Sequence, residues 1–414
     1  MNIRSITLGI GNIENNFTTT ENVVSAFFKQ ANVVSKDNKF SVRTNRITTV
    51  PISLEDGVRE ADIFRISDQM SHICKKTGVR WFCLPFEFSE FEPSFKFDTV
   101  GEKLIKHNEN LFLNCLVTKQ NSISRKGIIQ ASGLIKRVSR LSNNGFDNFR
   151  VGIACNCEPN TPFFPYSYHD GVNGFSIALE IVDEFLDLVK KEQLSLVEFR
   201  TKAIQSLTTN LKQVDSVGLK IEEQTGVKYL GLDASLAPFP NGKSSVGLLV
   251  ERLGIDQFGG SGTVFITSVL TDVIKSSISA VSPRVKGFNG VMYSLLEDDY
   301  VALRNDQKLF SLDSLILYSS VCGCGLDMVP VPGDITDDEV ASIIYDVASL
   351  SIRANKPLGV RLLPINGKQE NERTNFNYDF LVDSRVMGIR NRSIKDFGNT
   401  RDDFCYASKS VWND

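Results

Sequence analysis

Short stretches with the composition of buried strands alternate with helical stretches along the whole of this 414-residue chain. The strand candidates include Trp81 to Phe88, Leu111 to Val117 and Leu358 to Leu363, and helical stretches such as Thr336 to Ala354 separate them. We count roughly nine or ten strands, and no low-complexity or linker-like segment divides the series. We therefore predict a single α/β domain over residues 1–414, built as a barrel or as a large, mostly parallel sheet.

The charge of the chain argues against two classes of partner. Lysine and arginine number 46 against 49 acidic residues, which gives a net charge of −3, and no long basic run would attract phosphate backbones or anionic lipids. We therefore expect no nucleic acid and no membrane as partners. The N-terminal residues, MNIRSITLGI, lack the long apolar run of a secretory signal or an anchor. A cytoplasmic location is the corresponding expectation.

The stretch from Val321 to Asp334, VCGCGLDMVPVPGD, concentrates reactive and conformationally special residues. Because glycine and proline hold a backbone in unusual shapes, we predict the catalytic centre here. Asp327 lies in an apolar run, where a carboxylate must find a partner or shift its pKa. Asp334 belongs to a strand-to-helix turn, a place where free backbone N–H groups can face a bound anion. Asp334 is either part of such an anion site or a residue that caps the turn.

Two cysteine pairs share the spacing C-x-C: Cys322 with Cys324, and Cys155 with Cys157. We expect all of them to be free thiols, since no secretory signal is apparent, and we take Cys322 and Cys324 as catalytic candidates. A zinc site built from all four thiolates is an alternative, although zinc ligands are usually separated by two to four residues. Packing as small buried apolar side chains is the other alternative.

His169, one of three histidines, lies in the polar and aromatic loop YSYHDG before a predicted helix. It is a candidate general base or metal ligand, or else a bystander beside a capping Asp170. Asp233 and Ser235 lie at the end of a predicted strand, where α/β folds collect active-site side chains. We predict a substrate-binding role for both, with turn formation as the alternative.

Several stretches together resemble those of an uncharacterised family known as PFL family proteins. They are RSITLGI from Arg4, GLDASLAPFP from Gly231, CGCGLDMVPVPGD from Cys322 and VRLLPINGK from Val360, with the helix entry at Gly262-Thr263. This resemblance spans nearly the whole chain. It implies a ten-stranded α/β barrel wrapped by helices, similar to glycyl radical enzymes such as pyruvate formate-lyase. It implies no known reaction.

The same resemblance raises the hypothesis of a radical enzyme. Glycyl radical enzymes carry a C-terminal glycine in an R-V-x-G-aromatic context and a cysteine on a loop in the barrel. Here Arg385-Val386-Met387-Gly388 matches that context, with Cys322 or Cys324 as the thiyl candidate, but Ile389 replaces the aromatic residue.

Our leading functional hypothesis is an enzyme that acts on a small polar or anionic metabolite inside the barrel. The acidic candidates and His169 would supply acid/base or metal-ligand chemistry, and a divalent metal is the one cofactor considered. Arg4, Arg46 and Arg361 would hold a carboxylate or phosphate. A non-catalytic metabolite sensor is the alternative.

An apolar stretch from Thr263 to Ile278 contains Asp272 and Lys275 and is short for a membrane span. It would pack internally or against a second copy in a homo-oligomer, and the sequence leaves both open.

Overall fold

Strands and helices alternate along the chain in the computed structural model, which describes residues 1–11, 17–55, 57–89, 93–191, 194–390 and 403–407. The strands are β1 (Asn2–Ile10), β2 (Val42–Thr49), β3 (Ile52–Leu54), β4 (Trp81–Phe88), β5 (Leu111–Leu116), β6 (Thr118–Lys119), β7 (Ser122–Ile123), β8 (Val151–Cys155), β9 (Gly174–Glu180), β10 (Lys228–Asp233), β11 (Gly325–Pro332), β12 (Leu358–Ile365) and β13 (Phe404–Cys405). The α-helices are α1 (Phe17–Asp37), α2 (Glu60–Thr77), α3 (Phe97–His107), α4 (Arg125–Val138), α5 (Val182–Lys191), α6 (Leu196–Thr225), α7 (Val246–Arg252), α8 (Thr263–Val281), α9 (Asp299–Asp306), α10 (Leu312–Tyr318) and α11 (Asp337–Arg353).

Ten strands form one mixed sheet in the order β10-β9-β1-β2-β4-β5-β8-β12-β11, with β3 paired beside β4. One parallel group comprises β1, β2, β4, β5 and β8. A second group contains the parallel pairs β9–β10 and β11–β12. The groups meet through antiparallel pairs, β1–β9 and β8–β12. The predicted α/β class with a large, mostly parallel sheet is confirmed.

The ladder of the large sheet has two ends, β10 and β11, and no strand-to-strand ladder joins them in the part of the chain that the structure describes. The predicted closed barrel is therefore not formed by strands alone. A non-strand segment, residues 285–294, makes isolated parallel bridges to both sides. Leu232 pairs with Val285, Leu236 with Val291 and Ser294 with Asp327.

Local capping signals fix the ends of two long helices. The T-x-x-E sequence at Thr336 predicts a capping box, which Thr336 and Glu339 do form on α11, and Ser195 and Glu198 form the same motif on α6. In each box the side chains satisfy backbone N–H groups that have no partner within the helix. The helices pack on one another, as α6 does on α8, and the buried apolar side chains form one connected cluster from Ile3 to Met387.

Apolar residues at spacings of three and four predict a helix from Asn173 to Lys191, and this prediction is wrong in its first half. Residues Gly174–Glu180 form β9, and the helix α5 begins only at Val182. The stretch contains Ala178, Leu179 and Glu180, which favour helices. Its position between β1 and β10 overrides that preference, because six of its seven residues are buried there.

One helix, α8, is long and apolar enough to cross a membrane by length and composition. In its most apolar 18-residue stretch, 33% of the residues are buried. It is the one such candidate among the described ranges. Its buried face includes Ile266, Leu270 and Ile274, and α6 packs against it. A core helix of a soluble protein produces the same pattern.

Candidate functional site

The segment between β8 and β9 runs across one face of the sheet. Its carbonyl groups accept hydrogen bonds from strand side chains: Pro162 from Ser5 Oγ (3.2 Å), Thr7 Oγ1 (3.2 Å) and Arg46 Nη1 (3.4 Å), Pro165 from Cys83 Sγ (3.4 Å), and Ser167 from Asn114 Nδ2 (3.3 Å). Proline carries no N–H, so at Pro162 and Pro165 only the carbonyl needs a partner. The segment thereby holds Tyr166 in a fixed place over the sheet.

A cavity of about 460 Å³ lies beside this segment. Its lining combines cationic and aromatic side chains with a few acids and one thiol. The arginines are Arg4, Arg43, Arg46, Arg80 and Arg361, and the aromatic residues are Trp81, Phe112, Phe149, Phe163, Phe164, Tyr166, Phe239 and Phe380. The acids are Glu297, Asp327 and Asp379, and the thiol is that of Cys324. Apolar walls with a few placed polar groups are typical of small-molecule sites.

Arg361, on β12, is held by two carboxylates. Its Nε and Nη2 donate to the two oxygens of Asp327 at 2.7 and 2.8 Å, and Nη2 also donates to Glu297 at 3.0 Å. The Tyr166 hydroxyl donates to the same Asp327 at 2.9 Å. Burial disfavours the charge on Arg361, but the two carboxylates outweigh this and raise its pKa. Both Asp327 oxygens are thus engaged within the protein.

A bulge in β11 places Asp327 in this network. The register with β12 shifts between Leu326 and Val329, and Met328 adopts a positive φ of 52°. A bulge of this kind redirects a side chain relative to the regular strand alternation. The predicted special backbone of this stretch therefore consists of a strand interrupted beside Asp327.

Arg46, on β2, differs from Arg361 because no carboxylate pairs with it in the described part of the chain. It is only 7% exposed. Its guanidinium donates to Thr44 Oγ1 at 3.0 Å and to the Pro162 carbonyl at 3.4 Å, and lies 5.4 and 5.2 Å from the ring centres of Trp81 and Phe164. Burial, reinforced by the charge of Arg4, lowers its pKa to about 9. A buried cation without an anionic partner is costly.

Two further arginines share one glutamate. Arg43 is paired with Glu180 at 2.8 Å and lies 3.7 Å over the ring of Phe239. Arg4 is 3.9 Å from Glu180 and 3.9 Å from Glu297, and it donates to the Pro238 carbonyl at 2.9 Å. The cationic groups in the cavity therefore outnumber close carboxylate partners.

Cys322 and Cys324 lie just before β11, and Cys324 Sγ donates to the Gly325 carbonyl at 3.6 Å. A favourable interaction with the Cys324 side chain, together with the Lys356 charge and against the burial penalty, lowers the pKa of Cys322 to about 6. The neighbouring Cys322 and burial raise the pKa of Cys324. The Lys356 ammonium donates to the carbonyls of Ser319 at 2.9 Å and of Cys322. Cys324 lines the cavity.

His169 lies apart from the cavity lining. Its ring is buried against Gly9, where a side-chain Cβ would come within 2.1 Å of the imidazole. Nδ1 is 2.6 Å from Asn160 Oδ1, and burial lowers the pKa of the imidazole. This surrounding is that of a packed histidine, and its predicted catalytic role gains no support from its position.

Asp233, the last residue of β10, and Ser235, just after the strand, are also outside the lining, and both are buried. Asp233 accepts from Ser235 Oγ at 2.5 Å and from the N–H groups of Phe288 and Asn289 at 2.7 and 3.1 Å. Burial raises the pKa of Asp233. These contacts attach the end of β10 to the 285–294 segment, which agrees with the turn-forming alternative.

Two other candidates, Asp334 and Gly388, stand apart from the cavity. Asp334 is exposed in the turn before α11. Gly388 does not line the cavity, and a Cβ there would meet the Glu370 carboxylate at 2.2 Å. Over the described residues, no group of three or more His, Cys, Asp and Glu is arranged to hold a metal ion. The four-thiolate zinc alternative therefore has no ligand cluster behind it.

The structure brings together five of the sequence candidates on this cavity, Arg4, Arg46, Arg361, Asp327 and Cys324. Cys322 is buried two residues before Cys324 and does not line the cavity. Sequence reasoning missed Tyr166, Trp81 and Glu297 as cavity residues. Tyr166 was noted only as a neighbour of His169. Trp81 lies opposite Arg46 in the β2–β4 register, a relation that strand pairing alone would have revealed. Glu297 lies in a short 3₁₀ helix, Leu295–Glu297, and carries no sequence signal.

Comparison with known proteins gives one family. Residues 1–380 match the family described as "Uncharacterised ACR (DUF711)". A UPF0210 protein of Pyrobaculum arsenaticum is 30% identical over 224 residues, which is 53% of this chain and 50% of that protein. One from Methanopyrus kandleri is 25% identical over 89% of this chain and 87% of its own length. The matched region covers about half of the first curated relatives. Nothing in these matches links the chain to pyruvate formate-lyase.

Proposed function

Since this chain belongs to the uncharacterised DUF711 family, we propose a function from its own cavity: it binds a small organic anion. The carrying observation is Arg46, a buried guanidinium without a carboxylate partner among the described residues. A ligand carboxylate or phosphate would supply the missing charge through charge-assisted hydrogen bonds. The aromatic walls would cover an apolar or ring-shaped remainder of the ligand.

The anion would bind between Arg46 and Arg4. Arg361 is already bidentate to Asp327, and Arg43 is paired with Glu180 at 2.8 Å. Arg4, in contrast, keeps both carboxylates at 3.9 Å. The charges of Arg4 and Arg46 act on each other, so one ligand anion would relieve the repulsion between them.

Our leading form of this proposal is a cytoplasmic enzyme. Tyr166 and Asp327 are the groups for proton transfer, because the hydroxyl already donates to the carboxylate at 2.9 Å and both line the cavity. The metal-assisted form of the hypothesis has no ligand cluster to support it within the described ranges. The glycyl radical form would need Gly388 near the thiols, and Gly388 lies outside the lining.

The alternative, a non-catalytic metabolite-binding protein, is favoured by one observation. Both oxygens of Asp327 are occupied by Arg361, and Tyr166 uses one of them as well. A carboxylate so engaged can be structural. Substitution of Tyr166 by phenylalanine distinguishes the two forms, because an enzyme would lose conversion of the bound ligand while a binding protein would lose little.

We also keep the ten-stranded barrel as a proposal. Five strands run parallel in one group, from β1 to β8, and four in the other. The 285–294 segment, which bridges β10 and β11 through Leu232–Val285 and Ser294–Asp327, would act as the missing fifth member of the second group. This arrangement would enclose the cavity within the sheet.

The anion proposal is tested by comparing carboxylates, phosphate monoesters and the matching neutral amides as ligands in thermal-shift and calorimetric titrations. We expect wild-type protein to bind an anion and not its amide. Arg46→Gln should weaken binding about 10- to 100-fold. Arg150→Gln is the matched control, because Arg150 is buried but paired with Asp147 outside the cavity.

The free Arg46→Gln protein should be at least as stable as wild type, since the substitution removes an uncompensated buried charge. Equal binding of anions by wild type and Arg46→Gln would refute the proposal. Native mass spectrometry of protein purified without added anions gives a second check. Wild type should retain a small anion that Arg46→Gln lacks.

A further inference from the structure

We propose that Cys322 and Cys324 form a nucleophilic thiol pair, in which Cys324 attacks an electrophilic carbon of the anion bound in the cavity and Cys322 accepts its proton. The substrate class is a small carboxylate that carries a carbonyl or a conjugated double bond. The carboxylate of this substrate rests on the anion site proposed above. The thiol chemistry does not depend on that site.

The geometry assigns different roles to the two sulfur atoms. Cys324 lines the cavity together with Arg46, Tyr166 and Asp327, while Cys322, two residues earlier in the chain, is buried and absent from the lining. A sulfur that faces the ligand can form the bond to carbon. A partner sulfur that does not face the ligand can receive the proton.

The surroundings favour one negative charge on the pair. Lys356 donates to the carbonyls of Ser319 and Cys322, so its ammonium is fixed beside the thiols and stabilises a thiolate. The other titratable groups facing the pair are Asp327, Tyr166 and Tyr293. Asp327 opposes a charge on Cys324, and so the charge resides on Cys322 until the proton is transferred.

The backbone at Gly323 holds the pair in place. Its N–H donates to the Val291 carbonyl at 2.6 Å, and a Cβ at this position would lie 2.7 Å from the Cα of Gly290. The two glycines let the two backbones touch. The C-x-C segment is therefore clamped against the 285–294 segment with both thiols buried.

The proposed step balances without an oxidant or reductant. The Cys324 sulfur forms a bond to the electrophilic carbon as its proton passes to the Cys322 thiolate. The π-electron pair moves to the carbonyl oxygen or to the far carbon of the double bond, and that atom takes up the proton from the Cys322 thiol, which returns to the thiolate. The product is a thiol adduct of the substrate, and reversal of these transfers releases it.

The test compares iodoacetate with iodoacetamide, two alkylating agents that differ in charge, on the full chain under reducing conditions. In both, the sulfur displaces iodide and forms a C–S bond. Peptide mapping by mass spectrometry gives the rate at each cysteine, with the exposed Cys405 as internal reference. We expect the iodoacetate-to-iodoacetamide rate ratio at Cys324 to exceed that at Cys405 about tenfold, because the arginines concentrate anions.

Variants separate the two parts of the inference. Arg46→Gln should bring the rate ratio at Cys324 toward that of Cys405, and Arg46→Lys should retain part of the preference. Cys322→Ser should move the pH midpoint of iodoacetamide labelling at Cys324 upward, to about 8.5 or higher. Alkylation at Cys324 no faster than at the buried Cys74, or a midpoint unchanged in Cys322→Ser, overturns the thiol pair. Fast alkylation without iodoacetate preference instead retains the thiol pair and counts against the anion site.

Discussion

The two C-x-C segments have the same spacing and flank the same strand, yet their thiols are in different chemical states. Cys155 pairs with Leu358 at the start of β12. On the other side of β12, the backbone carbonyl of Cys324 accepts a hydrogen bond from the N–H of Gly359. Cys157 donates to the Leu358 carbonyl at 3.4 Å, and burial raises the pKa of both Cys155 and Cys157. For Cys322, in contrast, the neighbouring Cys324 side chain and the Lys356 charge lower the pKa.

The difference teaches that the middle residue and the nearest cation decide what a C-x-C segment does. Asn156 adopts a positive φ of 50°. No lysine or arginine contributes to the pKa shifts of the two thiols beside it, Cys155 and Cys157. Gly323 lies against Gly290, and Lys356 lies within reach of the thiols. The first segment has the features of buried apolar packing and the second those of a reactive pair.

The largest effect should come from adding one carbon atom to the middle residue. Gly323→Ala would place a Cβ 2.7 Å from the Cα of Gly290, and because backbone cannot move aside as a side chain does, we expect a loss of about 3 kcal/mol in the free energy of unfolding. Asn156→Ala is the matched control and should cost about 1 kcal/mol, for the positive φ alone. Urea unfolding measures both, and equal losses would contradict the comparison.

The pH dependence of stability should differ between the segments. The pKa of Cys322 falls from 9.0 in the unfolded chain to about 6 in the fold, so its contribution is fully present above pH 9 and is lost as the pH falls through 6. We expect a slope of at most about 1.4 kcal/mol per pH unit in between. Cys322→Ala should remove this slope, and Cys157→Ala should keep it. Urea unfolding under reducing conditions from pH 6 to 9 gives the slopes, and an unchanged slope in Cys322→Ala contradicts the assignment.

Removal of the Lys356 charge should make Cys322 more like Cys155 and Cys157. Lys356→Met deletes the charge that favours the Cys322 thiolate, and we expect the titration midpoint of Cys322 to rise by about one pH unit. Thiolate absorbance in the ultraviolet, followed against pH, measures this. Lys275→Met is the control, since Lys275 acts on Lys356 but not directly on Cys322. A midpoint that shifts equally in both variants would argue against a specific role for Lys356.

The smallest effect should be that of Cys157→Ala. It removes a weak thiol donor to two carbonyls, at 3.4 and 3.7 Å, and should cost about 1 kcal/mol or less of unfolding free energy. The alkylation rate at Cys324 should stay the same. A change in that rate would mean that the two segments communicate through β12.

Much of the fold could be predicted from the sequence, because its signals are local. The strand Trp81 to Phe88 is found with the predicted bounds, the helical pattern of Leu312 to Tyr318 predicts the helix that is formed there, and the capping box at Thr336 is formed. The strand β9 was missed because its burial between β1 and β10 is a property of the sheet. Sequence stretches with helix-forming residues give no sign of such burial.

The candidate site was predictable in part. Arg46, Arg361, Asp327 and Cys324 are residue types that stand out in apolar stretches, and they do lie on one cavity. Tyr166 and Glu297 could not be assigned to it, because residues far apart in the chain meet there only when β12 lies beside β11. His169 and Asp233 stand out equally in the sequence, but their partners are other residues of turns and loops.

By itself, the sequence determined the mixed α/β class, the helix caps and the chemical types that a site could use, because these depend on neighbours within a few residues. Only the tertiary structure decided that Arg46 has no carboxylate partner in the described part of the chain, and which of two identical C-x-C spacings lies beside a lysine. Both properties depend on electrostatic and burial energies between groups that are distant in the chain and come together only in the fold. Identical local sequence can therefore carry different chemistry within one molecule.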